Sequence, residues 1–287
     1  MVTAVQARPR GRGERGLGAS IALHATLIAA TLISIFPVVW LVLTSLKPRE
    51  GWLSTELEFF RSPSLDNYTR VIGETDFPGW LLNSVLVAGL TMVLGVLLAA
   101  TTGYAISRFR FAGHRAVLWL LLVTQMFPVA ILIVPLYNLM AGLGLLNQIP
   151  GLVIAYMTVA VPFCAWMMKG YFDTIPVEID QAGMVDGLTP FGTFWRLVLP
   201  LAKPGLAVTA FYSFMTAWGE VAYATVFMTA EEKRTLGAGL QQFIGQHWSD
   251  WGLLTAAAVL IAVPASVVFL LVQRHLVTGL TAGATKA

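Results

Sequence analysis

Few residues in this sequence could do chemistry, and most of those are excluded by their neighbours. The four histidines, His24, His114, His247 and His275, are scattered, and none stands at metal-ligand spacing from another His, a Cys or an acid. Cys164 is the one cysteine. It lies in an apolar block, where a thiol behaves as a small buried hydrophobe, and no disulfide can form within the chain. No Gly-Lys dipeptide occurs, so the chain lacks a phosphate-cradling nucleotide loop; if ATP drives this protein, another chain must bind it. Glu220 is the clear ionisable residue inside an apolar run. It lies some 15 residues past Gly205, or about 22 Å at 1.5 Å per residue. A charge at the centre of a membrane span costs roughly 2.5–3.5 kcal/mol, and less toward the interface, so Glu220 should face protein or water. Its carboxylate can accept hydrogen bonds from hydroxyl groups on a passing solute. A role in helix packing or interface contact, with Trp218 and Tyr223 nearby, is the alternative. A nucleophile–base or metal constellation within the apolar blocks is absent, which argues against an intramembrane enzyme. An ion-gradient transporter would want paired intramembrane acids and bases, and Glu220 has no obvious partner.

The second concentration of polar residues is the stretch from Lys169 to Lys203. Its local signals describe two short helices and a tight turn. Pro176 suits a first helical turn, and Glu178 and Asp180 favour a helix N-terminus. Asp186-Gly187 reads as a stop with a left-handed glycine. Thr189-Pro190 restarts the chain as N-cap and first helical residue, and Pro200 and Pro204 bracket the next turn. At helical spacing Ile179, Ala182, Gly183 and Asp186 share a face, and the small Ala182 and Gly183 would let another surface approach closely. A docking knob and a helix lying in the headgroup layer both fit this pattern.

What positions these residues is a set of membrane spans. The chain has 287 residues, is 57% hydrophobic and only 11% charged, far below the charge of a soluble domain. Its apolar blocks are long enough to cross a bilayer, which takes about 20 residues. Six spans are expected, at about 19–46, 80–107, 116–140, 151–168, 205–228 and 252–272, giving an all-α integral membrane fold. The first block, at roughly 28 residues, exceeds a signal-peptide core. Residues 1–18 form an Arg-rich tail, read as a cytoplasmic flank rather than a nucleic-acid arm, and 19–287 form the membrane domain. Gly and Ala in the second span favour close packing. Pro128, Pro135 and Pro162 lie within spans, where freed carbonyls must be satisfied internally or by water. With an even number of spans both termini share a side. That side and the 169–203 loop carry twelve of the 18 Lys and Arg, so both termini and this loop are expected in the cytoplasm.

The same residues carry a family resemblance. Importer-type ABC permeases have a cytoplasmic loop reading Glu-Ala-Ala, three residues, Gly, nine residues, then Ile-x-Leu-Pro. Here Gln181-Ala182-Gly183 is followed at matching spacing by Gly187 and by Leu197-Val198-Leu199-Pro200, with Gln181 and Gly183 replacing the first and third of the triplet. Trp218-Gly219-Glu220 resembles the Trp-Asn-Glu of sugar permeases, and the run from Leu236 to Ala287 resembles the C-terminal part of maltose-type permease subunits.

The resemblance implies a six-helix, MetI-like permease fold in a bacterial inner membrane. The subunit would be non-catalytic, part of an ATP-driven importer of maltose, maltodextrin or trehalose. It implies four partners: a MalF-like second permease subunit, a MalK-like ATPase dimer carrying ATP and Mg, an extracytoplasmic sugar-binding protein, and membrane lipid. No nucleic acid and no cofactor bound by this chain are implied. Glu178, Asp180, Gln181, Ala182, Gly183, Asp186, Gly187, Leu199 and Pro200 would couple to the ATPase. The last periplasmic loop, with Gly245, Gln246, His247 and Trp248, would reach the binding protein, and the tail Thr281–Ala287 would extend between the ATPase subunits. Glu220 would line the outer sugar path, although in this family the sugar contacts mainly the other permease subunit.

Overall fold

The structure is a computed structural model that describes residues 17–48, 63–244 and 250–284. Among these residues every element is helical. In chain order they are α1 (Leu17–Ser45), α2 (Asp66–Gly73), α3 (Phe77–Arg108), α4 (His114–Thr124), α5 (Val129–Gly142) and α6 (Ile149–Phe172). There follow α7 (Glu178–Val185), α8 (Pro190–Thr193), a π turn (Phe194–Val198), α9 (Leu199–Leu201), α10 (Lys203–Trp218) and α11 (Ala222–Phe227). The chain ends with a 3-10 turn (Glu231–Lys233), α12 (Leu236–Gly239), a second 3-10 turn (Leu240–Phe243) and α13 (Trp251–Ala284).

Four helices are long and apolar enough to cross a membrane singly, and six spans result if each of two bent pairs is one span. One bend and one helix end correct two sequence expectations. The third span is not one kinked helix: α4 and α5 meet at 107°. Pro128 sits at the break with extended backbone (φ −60°, ψ 133°), where its ring and missing N–H start a new helix and do not continue the old one. Pro37, Pro135, Pro162 and Pro264 are instead accommodated inside helices. The fifth span also differs, because α10 stops at Trp218 and only α11 lies beyond. Glu220 therefore occupies a gap between helices.

The core has two apolar clusters stacked along the spans. One, next to α7, is built from Tyr104, Met168, Phe172, Phe194 and Val198. The other, at the far end, holds Trp80, Met140, Tyr156, Tyr223, Phe227 and Met228. Within the first of these clusters α3 crosses α6 with almost no clearance. A Cβ on Gly103 would stand 2.8 Å from Met168 Cβ and 2.9 Å from Lys169 N, so only glycine permits this approach. In contrast α1 buries none of its apolar window, as suits a helix facing lipid.

The stretch 47–79, which reads only as polar, contains α2. Asn67 is buried there and its Nδ2 donates to Ser45 O (3.0 Å) and Lys47 O (2.9 Å). Arg70 pairs with Asp250 at 2.9 Å. The short helix α2 thus straps the end of α1 to the start of α13.

Candidate functional site

The helix α7 forms where the local chemistry allows it and ends where glycine allows it. Gly187 has φ +85°, the left-handed region that L side chains rarely adopt. Around it Gly187 N–H donates to Met184 O (3.1 Å) and Leu188 N–H to Gly183 O (2.9 Å). This pair of bonds is the Schellman closure, which satisfies carbonyls a helix end would leave orphaned. Thr189 then caps the next helix. Its hydroxyl accepts from Gly192 N–H at 3.1 Å, an interaction of about 1 kcal/mol, and Pro190 follows as the first helical residue. The stop, restart and cap expected from the sequence are all present.

Beyond Thr193 the helix widens into the π turn. Leu199 N–H donates to Phe194 O, five residues back, and Pro200 has no N–H to offer the Arg196 carbonyl that a regular ladder would pair with it. Leu199 is half-buried beside the inner apolar cluster, and Pro200 is exposed.

The structure divides the residues of α7 between two faces. Gly183 is buried, and a Cβ there would meet Leu197 Cδ1 at 2.8 Å and Thr193 Oγ1 at 2.9 Å. The close approach at Gly183 is therefore to the protein's own π turn and not to a second chain. Asp180 is also turned inward, only 5% exposed. Tyr104 O–H donates to its Oδ1 at 2.5 Å and Arg108 Nε to its Oδ2 at 3.0 Å. Arg108 also donates from Nη2 to Ile175 O at 2.8 Å. The Asp180 carboxylate is thus occupied within the chain, contrary to the expectation that it serves a partner. Glu178, Gln181, Ala182, Asp186 and Gly187 remain exposed, together with Met184 and with Val185, which is 87% exposed. The presented tip is more apolar than the sequence pattern suggested, because the helix leans on Ile179 and Gly183.

A second set of polar contacts braces the same end. Lys169 Nζ and Ser107 Oγ both donate to Asp173, at 2.6 Å each, joining α3 and α6 to the chain entering α7. Burial alone would raise the Asp173 pKa, but these hydrogen bonds and the Lys169 and Arg108 charges outweigh it and hold it below the usual carboxylate range. The bonus is present at neutral pH and is lost only as pH falls through that lowered value.

Glu220 has a defined structural job. Its carboxylate accepts from Tyr223 N–H at 2.9 and 3.1 Å and from Ala224 N–H at 3.2 Å. It caps α11, and the contact from Tyr223 is through the backbone. The hydroxyls of Tyr156 and Tyr223, whose rings lie 6.3 Å apart, are buried without a hydrogen-bond partner among the described residues. Gly245, Gln246, His247 and Trp248 lie outside the described residues, as do the tail up to residue 16 and residues 285–287. The flanks of the 245–249 segment are described: Asp250 N–H donates to Phe243 O at 3.2 Å, and Asp250 Oδ1 accepts from Leu253 N–H at 3.0 Å.

Comparison with known proteins places this architecture. Residues 91–281, which include the α3–α6 crossing, α7 and the Glu220 break, match the family model "Binding-protein-dependent transport system inner membrane component". The maltodextrin transport system permease protein MdxG of Bacillus subtilis is 37% identical over 264 residues, covering 91% of this chain and 95% of that protein. The maltose/maltodextrin transport system permease protein MalG of Vibrio vulnificus is 38% identical, covering 92% and 95%. A chain of a bacterial ABC transporter involved in alginate import superposes with a TM-score of 0.78 over 92% of this chain at 22% identity, a likeness of fold. A multi-pass helical chain with a capped helical loop, matched over nearly its full length, is thus a permease, and it belongs to the inner-membrane-component family of binding-protein-dependent transport systems.

Proposed function

We propose that this chain is one half of the translocation path of an ATP-driven importer of maltodextrin-type oligosaccharides. It works with a second, MalF-like permease subunit, with a MalK-like ATPase pair that holds ATP and Mg, and with an extracytoplasmic sugar-binding protein. The observation that carries this reading is the construction of α7. It is capped at its end, presents Met184, Val185, Gln181 and Asp186 outward, and is tied inward to α3 by Asp180. Such a helix suits insertion into a cleft of the ATPase. Movement of the ATPase would pass through Arg108 and Tyr104 into α3, and through the Gly103 crossing into α6. The breaks at Pro128 and Glu220 leave α5 and α11 free to change angle against those rigid helices.

The family match and the maltodextrin relatives support the substrate class. The excess of Lys and Arg on the side of α7 supports cytoplasmic termini, with α12 facing out. Glu220 spends its carboxylate on backbone N–H groups, which does not favour an ion-gradient carrier. The test is reconstitution of this chain with its partner subunits in proteoliposomes. Binding-protein-dependent uptake of labelled maltotriose should require ATP. Uptake driven by a proton or sodium gradient without ATP would overturn the reading.

A further inference from the structure

At the end of the molecule remote from α7, a cavity of 300 Å3 opens between α11 and the turn that follows α12. Its wall is formed by Thr225, Thr229, Arg234, Gln241 and Gln242, and Met228, 1% exposed, contributes to its floor. The two cavities beside α7 differ in kind, being lined largely by aromatic and aliphatic side chains such as Tyr104, Phe109, Phe191 and Phe194. At 300 Å3 the space is at the lower end of the range for small-ligand sites, and far larger than one water needs.

The polar groups are held in place from behind. Asn147 adopts φ +57°, rare for a residue with a side chain, and its amide exchanges hydrogen bonds with Thr229 Oγ1 at 3.1 and 3.3 Å. Gln241 Nε2 donates to Thr225 Oγ1 at 3.4 Å, and Gln242 Nε2 to Glu231 Oε1 at 3.0 Å. Glu231 also stands 3.8 Å from Arg234 Nη1, which offsets the guanidinium charge. The wall is therefore nearly neutral, and its amides and hydroxyls each donate and accept.

The geometry points to this cavity as a receiving subsite for a neutral, polyhydroxylated ligand, one or two rings of an oligosaccharide, on this subunit itself. Sugar hydroxyls are donors and acceptors at once, as the wall is. The placement fits delivery. Thr225 lies five residues along from Glu220, within α11, and Gln242 shortly precedes the segment at 245–249. Along the chain the lining residues thus fall between the break at Glu220 and the segment proposed to contact the binding protein. This assignment rests on the transport reading above, yet it gives the sugar a foothold on the subunit that the family resemblance leaves with little substrate contact.

The test compares the assembled importer carrying parental chain with one carrying Gln241→Ala and Thr225→Val together. Uptake of labelled maltotriose at sub-saturating concentration should fall about tenfold, the loss of two modest hydrogen bonds. Binding-protein-stimulated ATP hydrolysis, which reports docking and assembly, should stay within a factor of about two, well under the change expected for a lost contact of that size. Thr225→Ser, which keeps the hydroxyl, should restore most of the uptake when placed beside wild-type Gln241. Unchanged uptake in the double variant would remove the inference while leaving the transport reading intact. Parallel loss of uptake and stimulated hydrolysis would also remove it, by assigning the cavity to the binding protein's surface. Failure of the parental complex to import maltotriose from its binding protein would remove both.

Discussion

Asp180→Ala isolates the tie between α7 and the membrane helices. The two side chains of the pair are 8% and 9% exposed, so the bridge is a buried one and its rupture strands a charge. Removing one member of such a pair costs about 3–5 kcal/mol. Arg108 keeps its bond to Ile175 O, at 2.8 Å, which places the cost near the lower end, about 3 kcal/mol. Tyr104 loses its acceptor as well. A change of about 3 kcal/mol in local opening is roughly a hundredfold in equilibrium constant. Hydrogen exchange reads it directly on the amides of Asp186, Gly187 and Leu188, which are bonded in the closure of α7. Their exchange should accelerate by about that factor, with α13 unchanged, and ATP-dependent uptake should fall with it. Replacing both partners by apolar residues, Asp180→Leu with Arg108→Met, should recover much of the protection. Unchanged exchange over residues 181–188 in Asp180→Ala, or equal acceleration throughout α6 and α13, would refute the idea of a local strut.

Other expectations are as direct. Gly187→Val meets no atom within 4 Å but must hold φ +85°, at a cost of about 1–2 kcal/mol; it should weaken capture of the ATPase in a pull-down while the chain still reaches the membrane. Gly103→Val places its Cβ against Lys169 N and Ala165 O, which cannot swing aside, so the melting temperature of the purified chain should drop by an overpacking cost of about 1–3 kcal/mol. Glu220→Ala should loosen α11 by about 0.5–2 kcal/mol, visible as faster exchange at Tyr223 and Ala224, with Glu220→Gln retaining an acceptor and falling between. Cysteines placed at Glu232 and at Asp186 should differ in reactivity toward an impermeant thiol reagent in intact cells; labelling only at 186 would reverse the proposed orientation.

Legibility in the sequence followed the range of each interaction. The end of α7 could be read because Asp186, Gly187, Thr189 and Pro190 act on their immediate neighbours. The fate of Asp180 could not, since its partners Arg108 and Tyr104 stand more than 70 residues earlier and bear no periodic relation to it. A proline in an apolar run announces a freed carbonyl but not the resulting angle. Pro162 is absorbed inside α6, whereas Pro128 separates two helices at 107°. Asn67 fits a surface sequon by its letters, and only the chain ends it bonds to reveal it as a buried clasp.

The helix α10 packs on α3, on α6 and on α13. A load applied at α7 enters α3 and α6 through Asp180 and Gly103. A load applied beside Asp250 enters α13, and through Arg70 it enters α2 and α1. These two groups of helices are anchored at opposite ends, and α10 is the member common to both neighbourhoods. Displacements at the two ends of the molecule therefore meet along one rod of 16 residues, whose far terminus is the Glu220 break. Ser213 lies against Gly95 of α3 and Gly205 against Tyr171 of α6, so closely that a Cβ on either glycine would stand 2.9 and 2.8 Å from the neighbouring side chain, and the rod is geared to both helices.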